Sequence, residues 1–126
     1  MNMRTPLKNA RRLGSAKEGA DHFWKQRVTA VANLILVVLV MWLVLSMAGS
    51  DHATVKTWFA NPLVGIVFAL LGISGAIHMR LGMQVIIEDY VHGEGVKVVS
   101  LMLNTFFAIF VGAAILFAVA KLSFGA

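Results

Sequence analysis

The sequence predicts an all-α membrane protein of three transmembrane helices, with the amino terminus cytoplasmic and the carboxyl terminus periplasmic. Composition is the first ground: 59% of the 126 residues are hydrophobic and 13% charged, and the mean hydropathy is +0.80, far from a soluble globular domain. Distribution is the second. The apolar residues gather in three runs, Val28 to Ala48, Leu63 to Ile87 and Val98 to Ala120, each near or above the roughly 20 residues that carry a helix across about 30 Å of hydrocarbon. Each run must be helical, because a lone strand in lipid would leave its N–H and C=O groups without partners. The third ground is the placement of charge, which orients the helices.

The net charge of +5 and sequence pI near 10.1 do not point to nucleic acid. Seven of the eleven Lys and Arg residues (Arg4, Lys8, Arg11, Arg12, Lys17, Lys25 and Arg27) precede the first apolar run, and Lys56 alone lies in the next loop. Basic residues flank transmembrane helices on the cytoplasmic side. Residues 1–27 therefore read as a basic cytoplasmic tail and 28–126 as the anchor domain, with helices at about 28–48, 63–88 and 97–121. The loop Gly49 to Pro62 falls outside, the turn Glu88 to Lys97 is cytoplasmic, and the expected location is a bacterial inner membrane. The first run is too long for the apolar core of a signal peptide, so the tail is read as retained. Trp24 and Trp58 fall at opposite interfaces, Trp42 faces lipid or a helix, and Asp51, His52 and Lys56 read as a solvated outer loop.

The second run carries the chemistry. With no cysteine in the chain, disulfides, thiolate zinc sites and iron–sulfur clusters held by this chain alone are excluded. A titratable residue inside an apolar span is costly enough to suggest function. His78 lies about 15 residues into the run, which places it near mid-membrane. Ser74, Gly75 and Gly82 share its helical face. They can serve as close-packing positions for a neighbouring helix, with His78 hydrogen-bonding across the contact. Alternatively, the missing side-chain volume accommodates a flat macrocycle, with neutral His78 ligating haem iron through Nε2.

Zinc suits this run less, because it wants three or four protein ligands and His78 has no His, Asp or Glu at i+3 or i+4. A second haem ligand must come from another chain, since His22, His52 and His92 fall at membrane surfaces. Arg80 points to another face and reads as a snorkelling residue. Asp89, eleven residues after His78, returns to within about 20° of its face, with Tyr90 beside it where the helix leaves the membrane. These two read either as a solvated helix end with a belt aromatic or as a polar pocket at the cytoplasmic surface. In the third run Asn104 and Thr105 suit interhelical hydrogen bonds.

The pattern H-x-x-x-G-x-x-x-x-x-x-D-Y-V-H-G, filled by His78, Gly82, Asp89, Tyr90, Val91, His92 and Gly93, resembles the small membrane-anchor subunit of succinate dehydrogenase, respiratory complex II. "RVTA", Arg27 to Ala30, resembles that family's Arg-x-Thr-Ala at the start of the first helix. The resemblance implies that His78 is one axial ligand of haem b shared with a companion anchor (cytochrome b) subunit, which supplies the other histidine. It implies that Tyr90 donates a hydrogen bond to a carbonyl oxygen of ubiquinone, with Asp89 supporting protonation. It also implies that Arg27 and His22 face the haem propionates. The order Asp21-His22 departs here from relatives in which the histidine comes first. Succinate oxidation would take place on a flavoprotein subunit, with electrons reaching the membrane through an iron–sulfur subunit. Membrane lipids surround the anchor. An anchor of a fumarate reductase, or a cofactor-free membrane scaffold in which His78 only packs, are the alternatives.

The charge placement sets a topology experiment. A periplasm-active reporter fused after Ala126 should be active and one fused after Glu94 inactive. The reverse pattern would put Asp89 and Tyr90 on the wrong side for electrons arriving from cytoplasmic subunits.

Overall fold

The computed structural model describes residues 16–125, with side chains described from residue 19 onward. The first part of the basic tail, residues 1–15, lies outside the described residues. Among the described residues four helices follow in order: α1 (Ala16–Met47), α2 (His52–Phe59), α3 (Pro62–Tyr90) and α4 (Glu94–Phe124). Three of them, α1, α3 and α4, are long and apolar enough to cross a membrane, and there is no strand among the described residues. α1 begins well before the first apolar run, so residues 16–27 of the basic segment are helical. The short α2 occupies the segment that the sequence predicts to be an outer loop.

Local chemistry sets the boundaries. Gly49 adopts φ +80, a left-handed conformation that costs glycine little, and Ser50 N–H bonds back to Met47 C=O at 3.0 Å. Asp51 then caps α2 by accepting from Thr54 N–H at 2.9 Å, as N-cap aspartates do. Hydrogen bonds from the side chain and then the main chain of Thr54 hold the Asp51 carboxyl below its ordinary pKa. Asn61 caps α3, accepting from Leu63 N–H at 3.0 Å, and Pro62 takes the first helical turn, where its missing N–H is harmless. At the far end Val91 turns extended. Lys97 Nζ donates to Glu88 C=O at 3.1 Å, satisfying one of the carbonyls that a helix end leaves open.

α3 is the middle of the molecule. α1 packs along one side of it and α4 along the other, both antiparallel. Lipid offers little hydrophobic drive for helices to associate, so close packing of small residues must hold them. On the α4 side a Cβ placed on Gly72 would stand 2.6 Å from Ile115 Cγ2, and one on Gly65 would stand 2.7 Å from Ser123 Oγ. Gly112 on α4 meets Ala76 in turn. At the Pro62 end of α3, α2 lies across the bundle: Phe59, 4% exposed, joins Leu43, Met47 and Val64, with its ring 4.9 Å from that of Phe68. This is why α2 forms. Val55, Trp58 and Phe59 make one apolar side, while Lys56 Nζ reaches Gly125 C=O at 3.3 Å.

Gly72→Ala should therefore loosen the α3–α4 contact. Overpacking costs about 1–3 kcal/mol, and the stiff β-branched Ile115 cannot easily turn away. Thermal unfolding in detergent should start at a lower temperature in Gly72→Ala and recover in the double variant with Ile115→Ala. Unchanged melting of the single variant would show that the two helices part without cost.

Candidate functional site

A belt of polar side chains crosses the three long helices at one level. α1 contributes a stripe spaced as one helical face, His22, Gln26, Thr29 and Asn33, which turns toward α3. α3 answers with Ser74, His78 and Gly82. Ser74 Oγ donates to Thr29 C=O at 3.4 Å, His78 Nδ1 lies 3.1 Å from Thr29 Oγ1, and a Cβ on Gly82 would stand 3.5 Å from Gln26 Nε2. On the opposite side Arg80 Nε donates to Thr105 Oγ1 at 3.2 Å and Asn104 Nδ2 donates to Arg80 C=O at 2.9 Å. Asn104 and Thr105 thus make the interhelical bonds expected of them, and Arg80, although exposed, is tied to α4 by its inner nitrogen.

The register revises one reading of the His78 face. Ser74 and Gly82 are used for the close approach of α1, whereas Gly75 faces the α4 side, in an apolar groove with Gly72, Ala76 and Ile115. Ser74 and Gly82 therefore serve the α1 contact, whereas Gly75 stands apart from them in open space, with nothing within 4 Å of a Cβ placed on it. His78 stands opposite Thr29, the second residue of the first apolar run. Along α3 it is about 18 Å from Tyr90 and about 24 Å from Pro62 at 1.5 Å per residue. It therefore lies within about 3 Å of the middle of α3.

His78 is half-buried. Its Nδ1 faces Thr29, and Nε2 makes no hydrogen bond among the described residues. Among the described residues no three His, Cys, Asp or Glu side chains gather into a metal site. A group that needs one imidazole from this chain and brings its own remaining donors fits that donor set; a zinc ion bound by this chain alone does not.

The other expected site residues are spread out. α3 continues to Tyr90, the condition for Asp89 to return to the His78 face. Asp89 is exposed and Tyr90 is 77% exposed, so neither is enclosed by this chain. The Arg27 guanidinium lies 4.9 Å over the Phe23 ring. The carboxylate of Asp21 pairs with Lys25 at 2.6 Å, which leaves Arg27 without an acidic partner among the described residues. His22 points elsewhere: it is half-buried on the α3 side, and its Nε2 is buried without a partner. Five residues apart, His22 and Arg27 lie about 140° round the helix from each other. His92 is exposed in the turn before α4.

Sequence reasoning missed the stripe on α1. Its signal was legible as polar residues at 22, 26, 29 and 33, the helical spacing of one face, but the apolar background of residues 28–48 masked it. A groove of about 370 Å³ lies at the opposite end of the bundle, lined by Phe59, Pro62, Gly65, Leu116, Val119 and Ser123; it is apolar and remote from His78.

Residues 1–120 match the family described as Succinate dehydrogenase/Fumarate reductase transmembrane subunit. The chain is 34% identical over 122 residues to the succinate dehydrogenase hydrophobic membrane anchor subunit of Paracoccus denitrificans, covering 97% of this chain and 94% of that protein. It is 33% identical over 96 residues to the succinate dehydrogenase membrane anchor subunit of Reclinomonas americana, covering 74% and 80% of the two chains. It is also 31% identical over 90 residues to the succinate dehydrogenase hydrophobic membrane anchor subunit of Rickettsia bellii (strain RML369-C), covering 71% and 72%. No solved structure matches.

Proposed function

The chain belongs to the succinate dehydrogenase/fumarate reductase transmembrane subunit family, as a hydrophobic membrane anchor subunit, and from that premise we propose that it shares a b-type haem with a companion anchor and helps build the site where ubiquinone is reduced. The observation that carries the reading is the division of His78: one ring nitrogen is engaged by α1 and the other has no partner among the described residues. An imidazole bound through Nδ1 presents Nε2, the usual arrangement of a metal-ligating histidine.

In this reading His78 would hold the haem iron from this chain, and the companion subunit would supply the second ligand. Haem, when bound, supplies a one-electron couple between the soluble subunits and the quinone. Arg27, with no acidic partner among the described residues, suits a haem propionate. His22 is the weaker candidate for that role because its free nitrogen points toward α3. Tyr90 donates its O–H to a quinone carbonyl oxygen and stabilises the negative charge that develops there as electrons arrive. Asp89, one residue earlier, supports the uptake of the two protons that complete the quinol. Tyr90 is too exposed to enclose a ligand, so partner subunits complete the pocket. Those partners are the companion anchor, an iron–sulfur subunit and a flavoprotein that oxidises succinate. The membrane is a bacterial inner membrane, with the Tyr90 end of α3 on the cytoplasmic face.

Two variants of the assembled complex test this. His78→Ala should abolish or shift the dithionite-reduced b-type band and weaken copurification of the companion anchor; an unchanged spectrum would exclude His78 as ligand. Tyr90→Phe keeps the ring and removes only the hydroxyl, a hydrogen bond of about 1–3 kcal/mol in a partly desolvated site. Quinone reduction should fall roughly 5- to 150-fold, while succinate oxidation by a dye that accepts electrons upstream stays near normal. Quinone reduction at the wild-type rate would leave Tyr90 as an interfacial aromatic only.

A further inference from the structure

Thr29 makes more contacts around His78 than helix packing requires. Its hydroxyl oxygen lies 2.8 Å from Lys25 C=O, 3.2 Å from Gln26 C=O and 3.1 Å from His78 Nδ1. A threonine hydroxyl has one proton and two lone pairs. The proton goes to the nearest acceptor, the Lys25 carbonyl one turn earlier, as Thr side chains inside helices commonly do. Oγ1 can then meet His78 only as an acceptor, so Nδ1 must carry the imidazole proton. In a neutral ring that leaves Nε2 unprotonated, with its lone pair directed away from α1.

The opposite arrangement would require Thr29 to give up both backbone carbonyls and donate to Nδ1. The ring proton would then sit on Nε2, and the lone pair would be lost to a ligand. Ser74 fixes the same residue from the other side by donating to Thr29 C=O at 3.4 Å, so α1 and α3 cannot slide at this level without breaking both contacts.

We propose that Thr29 is a positioning residue that sets the tautomer of His78 and orients its ring, making Nε2 the nitrogen available to iron. The proposal rests on the reading of His78 as haem ligand. Lending electron density through the Nδ1–H bond makes the imidazole a stronger donor, which favours the oxidised metal. Loss of the acceptor should therefore raise the haem midpoint potential and weaken haem retention.

The test uses the assembled, membrane-extracted complex and reads haem content and midpoint potential by redox titration followed at the reduced b-type band. Thr29→Val keeps the shape and removes the acceptor: the potential should rise, and haem retention should fall by roughly 10- to 100-fold, the usual cost of losing an outer-shell partner. Thr29→Ser restores the hydroxyl and should restore both values. Ser74→Ala disturbs the same helix contact without touching Nδ1, so its potential should match the wild type. Should Thr29→Val fail to assemble, Thr29→Ala is read in its place. Wild-type potential and haem retention in the hydroxyl-less variant overturn the role of Thr29, as does an equal shift in Ser74→Ala, which would make the effect one of packing. His78→Ala separates the two levels: if that variant keeps the low-spin spectrum, the ligand reading itself fails, whatever Thr29 does.

Discussion

The arrangement depends on α3 being approachable from both sides. In water a helix of this composition would be driven inward by its apolar surface; in lipid that drive is largely absent, and contact must be won through packing and hydrogen bonds. α3 meets the requirement by carrying small residues on two faces. Gly65, Gly72 and Ala76 admit α4, while Ser74 and Gly82 admit α1. The side chains that cannot be small, His78 and Arg80, stand one on each of these faces and are each bonded to the neighbouring helix. Packing and chemistry thus share one register: the close approach that holds α1 also brings Thr29 within reach of the imidazole.

The surface follows from the same constraint. Large apolar side chains are exposed along all three long helices, among them Leu34, Trp42, Leu70, Phe110 and Phe117, while a small cluster at the Pro62 end of α3 is closed off by α2. A soluble protein could not carry so much exposed apolar area. Here it is the area that lipid and companion subunits cover, and the polar belt at His78 is the interruption within it.

How much of this was legible in the sequence depended on whether a feature is a sum or a register. The three spans are sums: every residue of Val28 to Ala48 adds to the signal. His78, Asp89 and Tyr90 were legible because each breaks an apolar pattern or ends it. Which face of α3 meets which neighbour is a register, fixed by pairs such as Gly72 with Ile115 and Ser74 with Thr29, whose partners lie more than forty residues apart in the chain. Periodicity grouped Gly75 with His78, and only the partner helices separate them. The short α2 went unread because its eight residues include Lys56 and two threonines, and only Phe59 becomes well buried, against groups on other helices.

Under the proposed function, the two ends of the candidate site would pose different physical problems, which the chain answers differently. A ligand to a metal must present one lone pair in one direction, so the ring has to be fixed from behind, and α1 does this within the chain. A donor to a quinone must be reached by a substrate that enters and leaves, so it cannot be sealed by its own helix. Tyr90 accordingly sits on the last turn of α3, open to whatever packs over it. The His78 end is held inside this subunit by Thr29, and the Tyr90 end is left open, as the proposed roles would require. On that proposal this chain orients its histidine by itself but needs partner chains around Tyr90, because Asp89 and Tyr90 are both exposed on its own surface.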